Sequence, residues 1–388
     1  MLRVTARTRP GHPWVFSNEI LDPPVASLPP GDAVEVVDPR GHVIGRGYAN
    51  PHSLISIRMV TRGAHGDPDG PGLWEERVRA AVALRARVMP GRRSHRLIAG
   101  EADGIPGLVV DRYEDVLVAQ ITTLGMERRA ELVRAALERV VAPRGAVLRT
   151  DVGARALEGL PVGESRVWFG DVPDAVRFEE NGVLLEADVR EGQKTGFFFD
   201  QAENRRFSHA LVAGASVLDV YAHTGAWALG ALRNGARAAT AIDVSAGACA
   251  LIQANAARNG VADRMTVTCA DAREAMEALV AQGARFDVVF LDPPAFAKSR
   301  KKAGIALGAY KANNAAALRL LAPGGLLFTS SCSHHVLPER FEEAVVAGAR
   351  QAGRTLQLVR RGGQAPDHPI LPGVPETEYL KHLVFVAR

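Results

Sequence analysis

Four acidic residues and one cysteine, each at the end of an apolar run, carry the chemistry this sequence offers. Asp219 lies in SVLDVY (216–221), Asp243 closes RAATAID (237–243), Asp271 follows RMTVTCA (264–270), and Asp292 closes FDVVFLD (286–292). An acidic strand end suits a ligand bearing positive charge, and a carboxylate ending the second strand accepts bonds from ribose hydroxyls. Three in succession, at 219, 243 and 271, make a nucleoside-shaped constellation on one edge, with Ala272 beside the third. Tyr221, His223 and Gly225 alternate along the turn after the first strand. Only the last is glycine, so G-x-G-x-x-G is absent and a dinucleotide is disfavoured. Pro293 and Pro294 fix the chain leaving Asp292, and Phe296 offers a ring to stack on a planar base, with Lys298 just beyond it. Cys332, in FTSSCSHHV (328–336), sits just past the fifth strand and is expected to be a nucleophile. Cys249 and Cys269 read as small buried hydrophobes. His334 and His335 follow Cys332 without metal-ligand spacing, so no zinc or other metal is expected. Upstream, EGQKTGFFFDQAENRR (191–206) sets three aromatics between Gly196 and Asp200, which suits a lid over a ligand, with Asp200 capping the next helix.

The elements that must position these residues follow from periodicity. From about 190 the chain alternates β and α. Strands fall at 216–221, 237–243, 264–270, 286–292, 325–331, 355–360 and 380–387, with helices near 225–234, 245–259, 271–282, 306–321 and 337–352. This predicts a doubly wound, mostly parallel seven-stranded α/β sheet binding its ligand at the carboxyl ends of the strands. Residues 1–73 carry short β runs at 33–38, 42–49 and 55–61 between turn signals, which indicates a small β barrel or sandwich. Residues 74–188 mix a helix at 73–89, a hairpin at 107–123, a helix at 126–141 and a hairpin at 176–189 turning at Asn181–Gly182. This is a small α+β domain, and 189–388 form the third.

Composition excludes whole classes. With 388 residues, 47% hydrophobic, and a net charge of +4, the chain is neither disordered nor a disulfide scaffold on three cysteines. No run of about 18 apolar residues could span a membrane, and the first residues lack the apolar core of a signal peptide. A cytoplasmic protein with reduced thiols is expected. The basic residues are mostly arginine, and they cluster at Arg77, Arg79, Arg85, Arg87, Arg92, Arg93 and Arg96, and again at Lys298, Arg300, Lys301 and Lys302. Either group could contact phosphates or form a solvated face.

Taken together the motifs resemble class I S-adenosylmethionine-dependent methyltransferases. More closely, the chain resembles the bacterial large-subunit ribosomal RNA cytosine-carbon-5 methyltransferases that carry an N-terminal PUA domain. GHPWVFSNEI (11–20) and GDAVEVVDPRGHVIGRGYANPHSLISIRM (31–59) resemble that PUA domain, and GEADGIPGLVVDRYEDVLVAQ (100–120) the central domain. KTGFFFDQAENR (194–205), LDVYAHTGAWAL (218–229), LDPPAF (291–296) and SSCSHH resemble the cofactor and catalytic motifs. The resemblance implies that Asp219 to Gly225 cradle the methionine part of S-adenosylmethionine. It gives Asp243 the ribose and Asp271 the adenine pocket. Lys194, Thr195, Gly196 and Phe197 would close over the cofactor, supported by Asp200, Gln201 and Arg205. Tyr221 and His223 stand where many methyltransferases have glycine. The implied partner is 23S ribosomal RNA or a large-subunit precursor. Oligomeric state stays open, a homodimer included.

The implied chemistry accounts for the residue types. Carbon 5 of cytosine is a poor nucleophile until a thiolate adds at carbon 6. Cys332 matches that thiol, and a protonated Asp292 would bond the ring nitrogen. The target base would leave its stack to reach the pocket. Two alternatives stand beside this reading. Asp292–Pro293–Pro294 also resembles the motif of nitrogen methylases, which need no thiol, although Ala295 replaces their usual aromatic. The chain could also be a non-catalytic RNA-binding or assembly factor.

Overall fold

A computed structural model describes residues 1–388 apart from Lys298 and the side chain of Arg300. The chain forms two compact units: 1–176 with 188–199 and 366–377, and 177–187 with 200–365 and 378–388.

The first unit holds two sheets. The six strands at Leu2–Ala6, Trp14–Phe16, Ile20–Asp22, Ala33–Val37, Val43–Ala49 and Ile55–Met59 make one small sheet. Alternating Val4, Ala6, Val34, Val36 and Ile57 bury its inner face. Residues 95–99, 108–113, 116–121, 145–149 and 166–170 make a five-stranded sheet. Helices Pro71–Val88 and Ala130–Val141 pack on it through Trp74, Val78, Val133 and Leu137. The two sheets are latched by buried charge. Arg58 donates to Glu101 at 2.8 Å and to Glu158 at 3.2 Å, while Trp14 Nε1 donates to Glu101 at 2.8 Å.

Two expectations change here. The helix expected at 126–141 is broken into Leu124–Glu127 and Ala130–Val141. Arg129 sits at the break with its guanidinium buried, donating to the carbonyls of Gly31, Gly125 and Pro68. The first arginine cluster is also not one basic face. Arg85 is buried against Asp103, Arg96 pairs with Asp111, and Arg77 donates to Val60 O, which leaves Arg79, Arg87 and Arg93 exposed. Arg93 is paired with Glu114 at 2.8 Å.

The second unit is the seven-stranded sheet. Numbered within this unit, its strands are β1 (Ser216–Val220), β2 (Ala238–Asp243), β3 (Met265–Cys269), β4 (Phe286–Leu291), β5 (Leu321–Ser331), β6 (Leu356–Gly362) and β7 (Lys381–Ala387). The spatial order is β3-β2-β1-β4-β5-β7-β6, with β7 antiparallel to its neighbours and the first five strands parallel. Helix α1 (Ala202–Ser208) precedes the first strand, and α2 (Ala226–Arg233), α3 (Ala246–Arg258), α4 (Ala272–Ala281), α5 (Ala303–Leu320) and α6 (Pro338–Gln351) lie between the strands in sequence. The central strands are mostly apolar, as expected of strands covered on both faces; Val217, Leu218, Val289, Phe290 and Leu327 are fully buried.

The hairpin Val176–Glu180/Val183–Ala187 turns through Asn181 (φ 52°) and Gly182 (φ 80°), a twist-matched two-residue turn. The sequence reading places it in the central domain, yet residues 177–187 belong to the second unit. Asn255 of α3 and Asn259, which caps its end, hold it. Asn255 accepts from Glu186 N at 3.0 Å, and Asn259 accepts from Leu184 N at 3.0 Å and donates to Leu184 O at 2.7 Å. Among the described residues no helix is long and apolar enough to cross a membrane.

Candidate active site

The acidic strand ends lie along the carboxyl edge of the seven-stranded sheet. Asp219, near the end of β1, is completely buried. Its Oδ2 accepts from Ala228 N at 3.1 Å, in the first turn of α2. Its Oδ1 has no hydrogen-bond partner among the described residues. Burial raises this carboxyl to about 7, and Asp292 and Asp243 push the same way. A buried carboxylate oxygen left without a donor costs free energy unless a ligand supplies one. A ligand ammonium fits that position.

The turn after β1 takes the shape that glycines would give it. Tyr221, His223 and Gly225 all have left-handed backbones, at φ 65°, 53° and 79°. For the two non-glycine residues this costs on the order of 1–2 kcal/mol each. The distortion turns the His223 N–H onto Asp243 Oδ2 at 2.9 Å. Asp243 Oδ1 accepts from Ser245 N at 2.9 Å. The carboxylate at the end of β2 is thus fixed against the first turn, with lone pairs remaining on both oxygens. The ring of Tyr221 leans away, its hydroxyl donating to Asn313 at 2.8 Å.

Asp271 is a helix cap. Its Oδ1 accepts from Arg273 N at 2.9 Å and Glu274 N at 3.2 Å, opening α4, and Ala272 is the buried first residue of that helix.

A polar network crosses from α1 to the centre of the sheet. Gln201 Nε2 donates to Asp292 Oδ2 at 3.0 Å and to Ser330 Oγ at 2.9 Å, and Asn204 Nδ2 holds Gln201 Oε1 at 2.7 Å. Ser330 Oγ meets His382 Nδ1 at 2.8 Å. Burial lowers His382 to about 3, so the ring is neutral. Arg205 is buried and forms a two-point ion pair with Glu180, at 2.5 and 2.9 Å. Burial alone would lower it, but Glu180, Asp200 and Asp292 together raise it.

Asp200 corrects an expectation. It does not cap α1, because a short turn at Phe199–Gln201 precedes the helix and makes Gln201 the capping position. Asp200 Oδ2 instead accepts from the Tyr379 hydroxyl at 2.7 Å. The segment before it belongs to the first unit. There Thr195 donates to Asp111, Tyr113 donates to Thr195 O at 3.1 Å, and Gln120 donates to Lys194 O at 3.0 Å. Gly196 has φ 113°, and a Cβ there would fall 2.7 Å from Asp188 O. Phe197 and Phe199 are buried, in edge contact with each other at 5.1 Å. Lys194 Nζ lies 4.3 Å over the Phe198 ring.

Past β4, Pro293 is buried, Pro294 exposed, and Phe296 half-buried against Tyr310 at 4.9 Å. Lys298 lies outside the described residues. Cys332, half-exposed, follows β5 directly, on the strand beside β4. Cys249 is buried, whereas Cys269 is exposed, because β3 is the sheet's edge strand.

Sequence reasoning missed Lys381. It begins β7, is 9% exposed, and pairs in register with Ser331. A lone lysine at the head of the apolar run KHLVFVA was the available signal.

The strand order, with its antiparallel seventh strand and acidic strand ends around a strained first turn, defines a class I methyltransferase fold. A protein assigned as a methyltransferase and solved with SAH superposes at a TM-score of 0.85 over 100% of both chains, at 17% identity. Residues 3–62 match the PUA-like domain family, and 194–360 match a family described as conserved hypothetical protein 95. The ribosomal RNA large subunit methyltransferase I of Shewanella frigidimarina is 38% identical over 96% of this chain and 94% of its own length. That of Pseudoalteromonas atlantica is 35% identical with the same coverage. The chain belongs to the ribosomal RNA large subunit methyltransferase I family.

Proposed function

We propose that this protein is a cytoplasmic enzyme that uses S-adenosylmethionine to methylate carbon 5 of a cytosine in 23S ribosomal RNA, with Cys332 as the nucleophile. The observation that carries the reading is the half-exposed Cys332 at the end of β5, beside the strand that runs into Asp292. The names of the relatives at 35% and 38% identity support the substrate class.

When bound, S-adenosylmethionine supplies an electrophilic methyl group on a sulfonium. The orphaned Oδ1 of Asp219 fits its ammonium, and Asp243 is placed to hold ribose hydroxyls. Asp271 and Ala272 border the adenine pocket. The Cys332 sulfur donates an electron pair to form a bond to carbon 6 of the base. The former carbon 5–carbon 6 π pair would then bond the methyl at carbon 5 as the sulfonium–methyl bond breaks, its electron pair staying on the departing sulfur. Loss of the carbon-5 proton and cleavage of the sulfur–carbon bond restore the ring and the thiolate. Asp292, steadied by Gln201, bonds the ring nitrogen while charge builds on it. Pro293, Pro294 and Phe296 hold the base. The PUA-like domain and exposed arginines engage RNA by phosphate and shape.

The test is methyl transfer from labelled cofactor to unmodified 23S RNA, with the product digested to nucleosides. Label in 5-methylcytidine that is lost in Cys332→Ala is expected. Label elsewhere on a base that survives Cys332→Ala overturns the reading in favour of direct transfer to a nitrogen.

A further inference from the structure

A buried lysine is costly, and this one is bonded to the residue that follows Cys332. Lys381 heads β7, antiparallel to β5, and its backbone pairs with Ser331, the residue before Cys332. Its Nζ donates to the carbonyl of Ser333, the residue after Cys332, at 2.7 Å, and to Tyr379 O at 2.8 Å. Lys381 therefore brackets Cys332, its backbone pairing with the residue before and its ammonium bonding the residue after, and both of these hydrogen bonds of Nζ go to neutral carbonyls. An ammonium taken out of water without a bonded carboxylate persists when another charge uses it.

We propose that Lys381 is the cation that holds Cys332 as a thiolate, acting through the sulfur rather than on the base. In the pairing step the S–H bond breaks and its electron pair stays on sulfur. The proton goes to Nζ when the amine is neutral and to solvent when it is already ammonium. The inference rests on the reading of Cys332 as nucleophile.

The electrostatics agree. Burial lowers Lys381 to about 8, and Cys332 and Glu378 work against that lowering. Two further titratable groups lie on neighbouring elements: Asp292, which follows the adjacent strand β4, and Tyr310 on α5, fully buried, with its hydroxyl on Ser331 and Ser333 at 2.9 and 2.8 Å. Burial raises that phenol, so it stays neutral and adds no competing charge. Beyond Glu378, Tyr379 is turned to Asp200, and its ring lies 5.4 Å from His334.

The experiment is the pH dependence of iodoacetamide alkylation at Cys332, read by peptide mass spectrometry on the full-length protein. In wild type the midpoint is expected below the ordinary thiol value of about 8.5. Lys381→Gln keeps a donor for the carbonyls but removes the charge. It should raise the midpoint by about one unit and slow alkylation at pH 7 by about tenfold. Lys381→Arg should restore most of the rate. A folded Lys381→Gln protein with an unchanged midpoint overturns the proposal. So does a wild-type midpoint at or above 8.5, a measurement that needs no variant. Retained turnover in Cys332→Ala would remove the nucleophile itself without moving the alkylation midpoint of the wild type, so the two failures are distinguishable.

Discussion

The amide nitrogen of Gln201 lies 3.0 Å from Asp292 Oδ2 and 2.9 Å from Ser330 Oγ, joining the helix that precedes the sheet to the ends of two adjacent strands. Asn204 fixes which way that amide points. Gln201→Leu keeps the volume and removes this donor to Asp292 Oδ2. Turnover should fall about 10- to 100-fold, as for loss of a positioning hydrogen bond at a reacting group. The KM for cofactor should change little. Initial rates of methyl transfer check this; a variant within twofold of wild type would remove Gln201 from the machinery.

On the proposed role of Asp219 in holding the ligand ammonium, cofactor affinity should depend on pH. Its carboxyl is raised to about 7, mainly by burial, so below that pH the ligand-free protein holds it neutral. A ligand ammonium pairs with the ionised form. Binding should therefore tighten as pH rises from 6 to 8, by up to about tenfold per unit below the midpoint. Calorimetry at several pH values reads this directly. Asp219→Asn should bind weakly at every pH, with a flat profile. In the ligand-free protein the sign reverses. The raised carboxyl contributes stability that is fully present below its unfolded value near 4 and is lost as pH rises through 7. Asp219→Asn should thus unfold at higher urea than wild type at pH 8.

Much of this site was legible in the residues because strand ends announce themselves. An apolar run closed by aspartate places the carboxylate at the sheet edge whatever the rest of the chain does, and five parallel strands in order then gather Asp219, Asp243, Asp292 and Cys332. What the sequence could not show depends on pairing between distant segments. Lys381 reaches Cys332 only because β7 runs antiparallel beside β5. The exposure of Cys269 follows from β3 being the edge, which is a matter of strand order. The break in the helix at Arg129 and the burial of Arg85 have the same origin, since each guanidinium is claimed by carbonyls or carboxylates from other segments. Three strands of the central domain, at 95–99, 145–149 and 166–170, escaped notice because they are short and lack an adjoining hairpin signal.

The ion pair of Glu180 and Arg205 ties the hairpin to α1 with both side chains nearly fully buried. Glu180→Ala would remove the carboxylate bonded to this buried guanidinium, which lies 5.9 Å from the Trp227 ring. Breaking such a pair from one side costs about 3–5 kcal/mol. The urea midpoint should drop accordingly, and Glu180→Gln, which keeps an acceptor, should lose less. A loss under about 1 kcal/mol in Glu180→Ala would show that the pair is not held in solution as it is here.

The strained turn gives a prediction of opposite sign to the usual cost of glycine. His223 has φ 53° and Tyr221 φ 65°, in the region where a Cβ is unfavourable. His223→Ala and His223→Gly both delete the imidazole, so the comparison isolates the backbone. The glycine variant should be the more stable by about 1 kcal/mol. At Ala228, inside the helix that follows, the same change to glycine should cost about that amount. Both differences are read from urea midpoints at one pH. Cofactor affinity should be alike in His223→Gly and His223→Ala if the N–H at 223 continues to donate to Asp243, a bond 2.9 Å long in the native turn. If glycine proves the less stable at 223, the left-handed turn is not the ground state, and the fixed position of Asp243 loses its support.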